Sequence, residues 1–288
     1  MDTLYHYCPS SSFRSILASR ILRLSSLTLS NDTSEGKMVS AAIARVAKRD
    51  GLSQENTRRL FLATSGLKDF MGGLGFCLSE ERDQLSQWRG YADDAAGIVI
   101  GFSKQYLEAL AKHRKNPISM DIHLGKVEYE PDAHDSHVEP TYRKMKELID
   151  EGAFKAGRVR TILDSRTDEE VERDRARSRE LLGGIFIAAF LLFTKLYLLK
   201  SPAFREEREW RLITYHSVKS GEKKIEFRAA GDRIVPFESI EMAELDIDPI
   251  NEVILGPKHI TPISLIEDFL SQSGYEDVAV KRSAASYR

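Results

Sequence analysis

The stretch 76–102 reads FCLSEERDQLSQWRGYADDAAGIVIGF, and it decides the fold class. Gly75–Leu78 and Gly97–Phe102 are predicted strands, because both are short apolar runs bounded by residues typical of turns. Glu80–Tyr91, between them, is predicted to be helical or rich in turns. Along the whole chain, however, the predicted strands do not alternate one-for-one with helices, so a doubly wound parallel sheet is not expected.

Outward from this stretch, the predicted strands cluster toward the two ends of the chain. They lie at Leu4–Tyr7, Gly125–Tyr129, Glu209–His216, Lys224–Arg228, Ile234–Phe237, Glu252–Leu255 and Val278–Lys281. Apolar residues at helical spacing predict helices at Phe13–Ser19, Lys37–Asp50, Ser53–Ser65, Lys104–His113 and Pro262–Ser273. We therefore expect a single α+β domain over residues 1–288, with a helical insertion at about residues 135–200.

The composition is that of an ordinary globular protein. A chain of 288 residues, 42% of them hydrophobic, can form a core without disulfides or metals. Its net charge of −2 provides no general attraction to nucleic acid or to an anionic membrane surface. Cys8 and Cys77 are too few for a disulfide framework, and the opening MDTLYHYCP does not resemble a signal peptide. These features predict a soluble, cytoplasmic protein with reduced thiols.

The segment Leu181–Leu199 reads LLGGIFIAAFLLFTKLYLL and approaches the length of a membrane span. Gly183, Gly184 and Lys195 interrupt it, so we expect a buried helix and no membrane contact. The preceding Thr167–Glu180 is almost wholly polar, which is typical of a solvated helix face. The mixed Arg and Glu composition there would suit a helical pair in a homo-oligomer.

Several familiar catalytic motifs are missing from the sequence. It has no P-loop, no HExxH zinc motif and no G-x-S-x-G elbow. The glycines at 72, 73 and 75 do not form a dinucleotide-binding fingerprint. His134 and His137 lie in DAHDSH, which we interpret as an exposed polar loop and a weak metal candidate. We expect no metal.

A histidine within the first predicted strand is a candidate binding residue. His6 lies in LYHY, and strand alternation places it on the face opposite Tyr5 and Tyr7. There it is either a hydrogen-bonded core residue or a contact to a ligand.

Two glutamates at the start of a later strand are candidate catalytic residues. Glu207 and Glu209 are two residues apart in EREWRLI, a spacing that places both carboxylates on the same strand face. A shielded pair of carboxylates suits the stabilisation of a cationic transition state, such as that of glycosidic-bond cleavage. The alternative is a solvated strand edge with salt bridges to Arg205, Arg208 and Arg211.

The turn-rich part of the opening stretch supplies further candidates for binding. It carries Ser79, Gln87, Trp88, Arg89 and Tyr91. Trp88 and Tyr91 could stack on a planar ring, and Arg89 could bind a phosphate through two hydrogen bonds. In the alternative interpretation, Trp88 anchors a loop to the core.

These segments together resemble a bacterial family known as domain-of-unknown-function family 2971. The similarity is spread over five blocks in order along the chain: LYHY (4–7), SNDTSE (30–35) with Asn31, Asp32 and Glu35, residues 76–102, KSPAFREEREWRL (200–212) and INEVILGP (250–257). The blocks span most of the chain and leave out the charged helical insertion.

The family in turn resembles the ADP-ribosyltransferase superfamily, which implies a split β-sheet core and NAD as the substrate. In that superfamily a polar residue on the first strand holds the adenosine ribose, a position that His6 matches. Ser79 or Tyr91 would frame the nicotinamide. A late glutamate stabilises the ribosyl cation, and the E-x-E spacing is similar to that of arginine-modifying transferases. By that similarity Glu209 would be catalytic and Glu207 would position the acceptor.

The resemblance therefore implies an NAD-consuming enzyme, either an ADP-ribosyltransferase or an NAD glycohydrolase, in a setting such as bacterial defence or a toxin system. His6 and Arg89 would bind ribose and pyrophosphate, and Trp88 or Tyr91 would pack against nicotinamide. The acceptor would be a protein side chain, a nucleic-acid base or water. The alternative is a non-catalytic module that binds a nucleotide or recruits a partner through the same cleft.

Overall fold

The fold is described by a computed structural model, which covers residues 2–30, 34–113, 122–155, 166–217 and 225–287. Within these residues the chain forms ten strands and nine helices. The strands are β1 (Thr3–Cys8), β2 (Ile21–Ser26), β3 (Met71–Ser79), β4 (Ile98–Ser103), β5 (His123–Lys126), β6 (Glu209–Ser217), β7 (Glu226–Ala230), β8 (Arg233–Glu241), β9 (Ile250–Leu255) and β10 (Ala279–Arg282). The helices are α1 (Ser10–Ser19), α2 (Met38–Arg49), α3 (Gln54–Ser65), α4 (Leu67–Phe70), α5 (Leu85–Tyr91), α6 (Lys104–His113), α7 (Pro131–Asp150), α8 (Asp168–Phe190) and α9 (Ile263–Gln272).

The chain divides into two compact units. The first comprises Met1–Asn31, Gly72–Val127 and Ala203–Arg288, and it carries the sheet together with α1, α5, α6 and α9. The second comprises Asp32–Met71 and Glu128–Pro202, and it is helical. The single domain expected from the sequence stays a prediction.

The sheet of the first unit is mixed and open. Its strand order is β10-β9-β4-β1-β3-β2-β8-β7, with β6 beside β3 and β5 beside β6. β10 runs parallel to β9, whereas β1 is antiparallel to both β4 and β3. The predicted α+β class is therefore confirmed. An ADP-ribosyltransferase-like core stays a prediction.

The junction between β1 and β3 is narrow. Every residue of β1 pairs with β4, but its described pairing with β3 joins Tyr5 to Ser79. Because paired residues share a face, Ser79 lies on the same side of the sheet as Tyr5 and Tyr7. Two groups of strands are thus joined at the end of β3, where the candidate residues lie.

Apolar residues cover both faces of the sheet in the first unit. One face carries the larger core, built from β-strand residues such as Leu4 and Phe76 together with buried positions of α1, α6 and α9. The other face carries a smaller cluster around Trp88, with Tyr5, Tyr7 and Ile254. This second cluster fixes α5 against β1.

Most predicted elements have counterparts at or close to their expected positions. The helix at Lys104–His113 has the predicted bounds, and those predicted at Lys37–Asp50 and Ser53–Ser65 correspond to α2 and α3. The last helix, predicted at Pro262–Ser273, is one residue shorter at each end, because α9 spans Ile263–Gln272. Three residues that the sequence analysis names, Asn31, Asp32 and Lys224, lie outside the described residues.

The predicted helix at Leu181–Leu199 is wrong in both bounds. The polar segment and the first half of the apolar segment form one helix, α8, which begins at a capping box between Thr167 and Glu170 and ends at Phe190. Residues 196–199 are all buried. A helix on the surface would bury only the residues on one of its sides, so four consecutive buried residues do not fit a continuation of such a helix. Leu199 instead forms a strand-like bridge with Glu128. Among the described residues, no helix is long and apolar enough to cross a membrane.

The polar loop predicted at DAHDSH is wrong as well. These residues form the first turns of α7, which begins at Pro131 because proline is well tolerated at the first helical position. His134 is buried, and its Nε2 lies 2.8 Å from the carbonyl oxygen of Glu128. This histidine therefore fixes the start of α7.

Candidate functional site

Three segments of the first unit meet where β3 ends and β6 begins. The Ser79 hydroxyl donates to the carbonyl oxygen of Glu207 (2.6 Å) and accepts from the backbone N–H of Glu81 (3.0 Å). The backbone N–H of Glu80 donates to the carbonyl oxygen of Arg208 (3.0 Å). The end of β3 is thereby held against the residues that precede β6.

Glu207 is not on the strand. It ends a 3-10 turn at Pro202–Glu207, and Arg208 has a left-handed backbone with φ of 41°, so β6 begins at Glu209. The expectation that both carboxylates share one strand face is therefore wrong, because the chain turns between them. The side chain of Glu207 instead accepts a hydrogen bond from the Tyr91 hydroxyl at 2.8 Å.

Glu209 forms a buried ion pair. Both of its carboxylate oxygens accept from Arg211, at 2.7 Å from Nε and 2.8 Å from Nη2. The side chains are 8% and 1% exposed. Residues two apart on a strand share a face, which brings this pair together. The structure thus places a charged, bidentate pair in an interior position, and Arg211 is one of the salt-bridge partners considered from the sequence.

Trp88 is fully buried. Tyr7 meets its ring edge-on at 5.1 Å between centroids, and its Nε1 donates to Asp83 at 2.6 Å. This placement corresponds to the anchoring role that the sequence left open. Tyr91, one turn of α5 later, is 38% exposed and retains an accessible ring.

Arg89 lies beside a residue near the end of the described chain. Its guanidinium is 5.6 Å from the ring centroid of Tyr287, and the Lys258 ammonium is 4.1 Å from the same centroid. The Tyr287 hydroxyl donates to Asp94 at 2.9 Å, and Lys258 donates to that carboxylate at 2.8 Å. Arg89, whose Nε lies 3.9 Å from the Asp94 carboxylate, and Lys258 thus flank one aromatic ring and share one acidic partner.

His6 bridges β1 and β3 through its side chain. Its Nδ1 lies 2.8 Å from the carbonyl oxygen of Cys77, and its ring stacks on Phe76 at 4.0 Å. Alternation is confirmed, since Phe76 belongs to the core on the face opposite Tyr5 and Tyr7. The ring is partly accessible but surrounded mainly by protein, and this desolvation lowers the pKa of His6 to about 4. His6 is therefore neutral at physiological pH.

Five of the predicted residues fall into three separate groups, while Trp88 contacts Asp83 and Arg89 lies beside Tyr287. Ser79, Tyr91 and Glu207 are joined by hydrogen bonds, Glu209 is joined to Arg211, and His6 is joined to Cys77. Their roles in binding or catalysis stay predictions.

Gln87 is a further candidate, which the sequence analysis names without giving it a role. Its side chain is buried at 6% exposure, and among the described residues its amide has no hydrogen-bond partner. Gln87 lies one helical turn before Tyr91 on α5. The i, i+4 spacing of Gln and Tyr in QWRGY is the signal that could have indicated it.

A charged network around Glu252 was also missed. Arg82 donates to both carboxylate oxygens (2.7 and 2.9 Å), and Lys281 (2.9 Å) and the Tyr5 hydroxyl (3.2 Å) also donate. Hydrogen bonds from Arg82 and Lys281 lower the pKa of Glu252 to about 2. A single glutamate between apolar residues in INEVIL is the signal, because a buried carboxylate requires partners.

No group of three or more His, Cys, Asp or Glu side chains that could hold a metal ion occurs among the described residues. His137 lies three residues after His134 on α7, and burial lowers its pKa.

Comparison with known proteins gives one match. The model of the family described as "Protein of unknown function (DUF2971)" matches residues 87–212, a range that includes Gln87, Tyr91, Glu207 and Glu209. The match supports the resemblance to this family. Searches of curated proteins and of solved structures each give no match.

Proposed function

We propose that this chain cleaves NAD at the bond between nicotinamide and ribose, as an ADP-ribosyltransferase or an NAD glycohydrolase. The observation that carries the proposal is the convergence of Ser79, Tyr91 and Glu207 just before the buried carboxylate of Glu209. Breaking this bond leaves positive charge on the ribose, and a fixed carboxylate stabilises such charge most effectively where water is excluded.

The two glutamates take different roles in this proposal. Glu209 faces the ribosyl cation, and the bidentate pair with Arg211 holds its carboxylate in one orientation. The bonding electrons leave with nicotinamide, whose ring nitrogen becomes neutral. Glu207, oriented by Tyr91, receives the proton of the acceptor or of water as its oxygen or nitrogen bonds to the ribose carbon.

Arg89 and Tyr91 bind the rest of NAD. His6 is not assigned a contact to NAD, because its ring stacks on Phe76 on the face of the sheet opposite Tyr5, Tyr7 and Ser79. Arg89 binds the pyrophosphate. Its guanidinium gives up the contact with the Tyr287 ring to do so. Tyr91 is the aromatic contact to nicotinamide, since Trp88 has no exposed surface.

The test is nicotinamide release from NAD by the purified protein, followed by chromatography. Glu209→Gln retains the shape and the hydrogen-bond acceptor facing Arg211, and we expect it to lower the rate by ~10²-fold or more. Glu207→Gln should lower it as well. Glu206→Gln is the matched control, because Glu206 is exposed on the same turn, and it should leave the rate unchanged. Full activity in Glu209→Gln would contradict the assigned role.

A second candidate function is a nucleotide-binding module without turnover, which could recruit a partner in a defence or stress system. It is favoured by the same contacts, because Arg211 already engages both oxygens of Glu209 and the Ser79 hydroxyl is already bonded to Glu207. Calorimetry with NAD distinguishes the two functions. Saturable binding with no nicotinamide, in the presence of protein and nucleic-acid acceptors, supports the module.

A further inference from the structure

Helix α8 carries an exposed apolar ridge in the second unit. Phe186, Ile187, Phe190 and Leu191 are 52%, 70%, 41% and 57% exposed. Their spacing places them on one side of the helix. Gly183 lies one turn earlier, and among the described residues no atom outside the neighbouring helix backbone lies within 4 Å of where a Cβ would sit there. Exposed apolar residues normally occur singly on a monomer, so a ridge of four indicates a contact surface.

An apolar groove lies directly beside this ridge. It has a volume of about 400 Å³ and is lined by Leu62, Ala63, Ala153, Phe154, Leu182 and Phe186, with Arg59 and Arg179 at its rim. Phe186 belongs to both ridge and groove. Arg59 is held in place by Glu55 (2.8 Å) and by the carbonyl oxygen of Phe154 (2.7 Å), so this side of the rim is fixed.

We propose that a second copy of this chain docks on this surface, with the ridge of each copy seated in the groove of the other. A two-fold contact requires a surface that is complementary to itself, and an adjoining ridge and groove of similar size meet that requirement. The two-fold axis then passes along the boundary between ridge and groove, close to Phe186, which belongs to both. This inference does not rest on the proposed NAD chemistry.

The available area suits a dimer. The ridge and Leu62, which is 56% exposed, offer about 500 Å² of apolar surface on each copy, so a two-fold pair buries about 1,000 Å² of such surface in all. That is near the lower bound for a specific protein interface, and the polar rim adds to it. The exposed surface of α8 near the groove carries both Arg179 and Glu180, so two like copies meet without net charge repulsion.

The first experiment is the mass of the full chain in solution, by light scattering and sedimentation over a range of concentrations up to about 100 μM. We expect twice the chain mass of 32.6 kDa. Ile187→Glu places a charge on the ridge that enters the partner's apolar groove, in both copies, and should raise the dissociation constant at least about 100-fold. Ile234→Glu is the matched control, because Ile234 is also 70% exposed but lies on β8, and it should leave the dimer intact.

A cross-linking experiment tests the position of the axis. Phe186→Cys in a Cys77→Ser background should form a disulfide between two copies on mild oxidation, because the axis brings the two positions together. Ile234→Cys in that background should form none, and the native Cys8 is buried. A monomer throughout the concentration range, or a dimer that survives Ile187→Glu, would overturn the proposal. Binding of a monomer to lipid vesicles through this ridge would overturn it too.

Discussion

At the scale of single residues, the chemistry depends on how carboxylates are held. Glu209 is fixed by Arg211, Glu252 by Arg82 and Lys281, and Glu207 by Tyr91. Each partner lies on a nearby strand, helix or turn, so the same contacts that complete the fold also orient the acids. For Glu252, hydrogen bonds from Arg82 and Lys281 lower the carboxyl pKa to about 2, so this acid is ionised at neutral pH.

The burial of the ion pair between Glu209 and Arg211 predicts that removing one partner strongly destabilises the fold. Arg211→Ala leaves the Glu209 carboxylate buried without its described charged partner, so we expect the free energy of unfolding to fall by about 3–5 kcal/mol. Urea unfolding followed by circular dichroism measures this change. Arg205→Ala, at an exposed position on the preceding turn, should change it by less than about 0.5 kcal/mol. A loss below about 1 kcal/mol for Arg211→Ala would contradict the pairing.

The ion pairs of Glu252 predict that the stability of the folded state depends on pH. Its pKa lies below the usual 4.5, at about 2, so its ionised form stabilises the folded state above pH 4.5 and that stabilisation is lost as the pH falls toward 2. Because Arg82 and Lys281 are 43% and 54% exposed, we expect a contribution of about 1–3 kcal/mol. Glu252→Gln should flatten this part of the stability profile between pH 5 and 2, as measured by urea unfolding. Glu241→Gln, at an exposed position on β8, should leave the profile unchanged.

At the scale of elements, the connection from α5 to β4 is the most constrained. Asp93, Asp94 and Ala95 all have left-handed backbone, with φ of 52°, 48° and 72°. A side chain at Gly97 would collide with the carbonyl oxygens of Cys8 and Ala92. The backbone at the end of β1 therefore lies in close contact with the backbone of this connection. The contact fixes the position of α5, which carries Trp88 and Tyr91.

This close approach predicts that alanine substitutions at Gly97 and Gly90 change the free energy of unfolding in opposite directions. Gly97→Ala should lower the free energy of unfolding by about 2 kcal/mol or more, because the obstructing atoms belong to the backbone. Gly90→Ala should raise it slightly, by about 0.5–1 kcal/mol, because Gly90 lies within α5 with open space around it. Thermal unfolding of the two variants gives the comparison. Equal stability would contradict the close packing.

The sequence predicted the elements better than it predicted their ends. Regular helices such as α6 follow from apolar spacing, and His6 follows from strand alternation. The 3-10 turn that separates Glu207 from Glu209 depends on the contact between Ser79 and the Glu207 carbonyl, 128 residues apart in sequence. The end of α8 likewise depends on the pairing of Leu199 with Glu128. Contacts of this kind leave no local pattern, so the sequence names candidate residues but does not give their geometry.

At the scale of the whole molecule, the two thiols report on the native fold. Burial raises the pKa of Cys8 to about 12, and its thiol lies 3.6 Å from the carbonyl oxygen of Ile98, whereas Cys77 is exposed. We expect an aromatic disulfide reagent at neutral pH to titrate one thiol in the native protein and two after unfolding. Cys77→Ser should reduce the native count to zero. Two reactive thiols in the native state would contradict the placement of β1 inside the core.

The NAD proposal and the dimer proposal rest on different units of the molecule. The NAD site draws on the sheet of the first unit, and the dimer contact on α3 and α8 of the second. Ile187→Glu should therefore leave the rate of nicotinamide release unchanged if dimerisation serves assembly alone.

The central claim is tested most directly by the ratio of nicotinamide release rates between Glu209→Gln and Glu206→Gln at saturating NAD. The proposed chemistry predicts a ratio of about 0.01 or less, with the Glu206→Gln rate equal to that of the unmodified chain. Equal release by both variants, or no release by the unmodified chain with acceptors present, would contradict it.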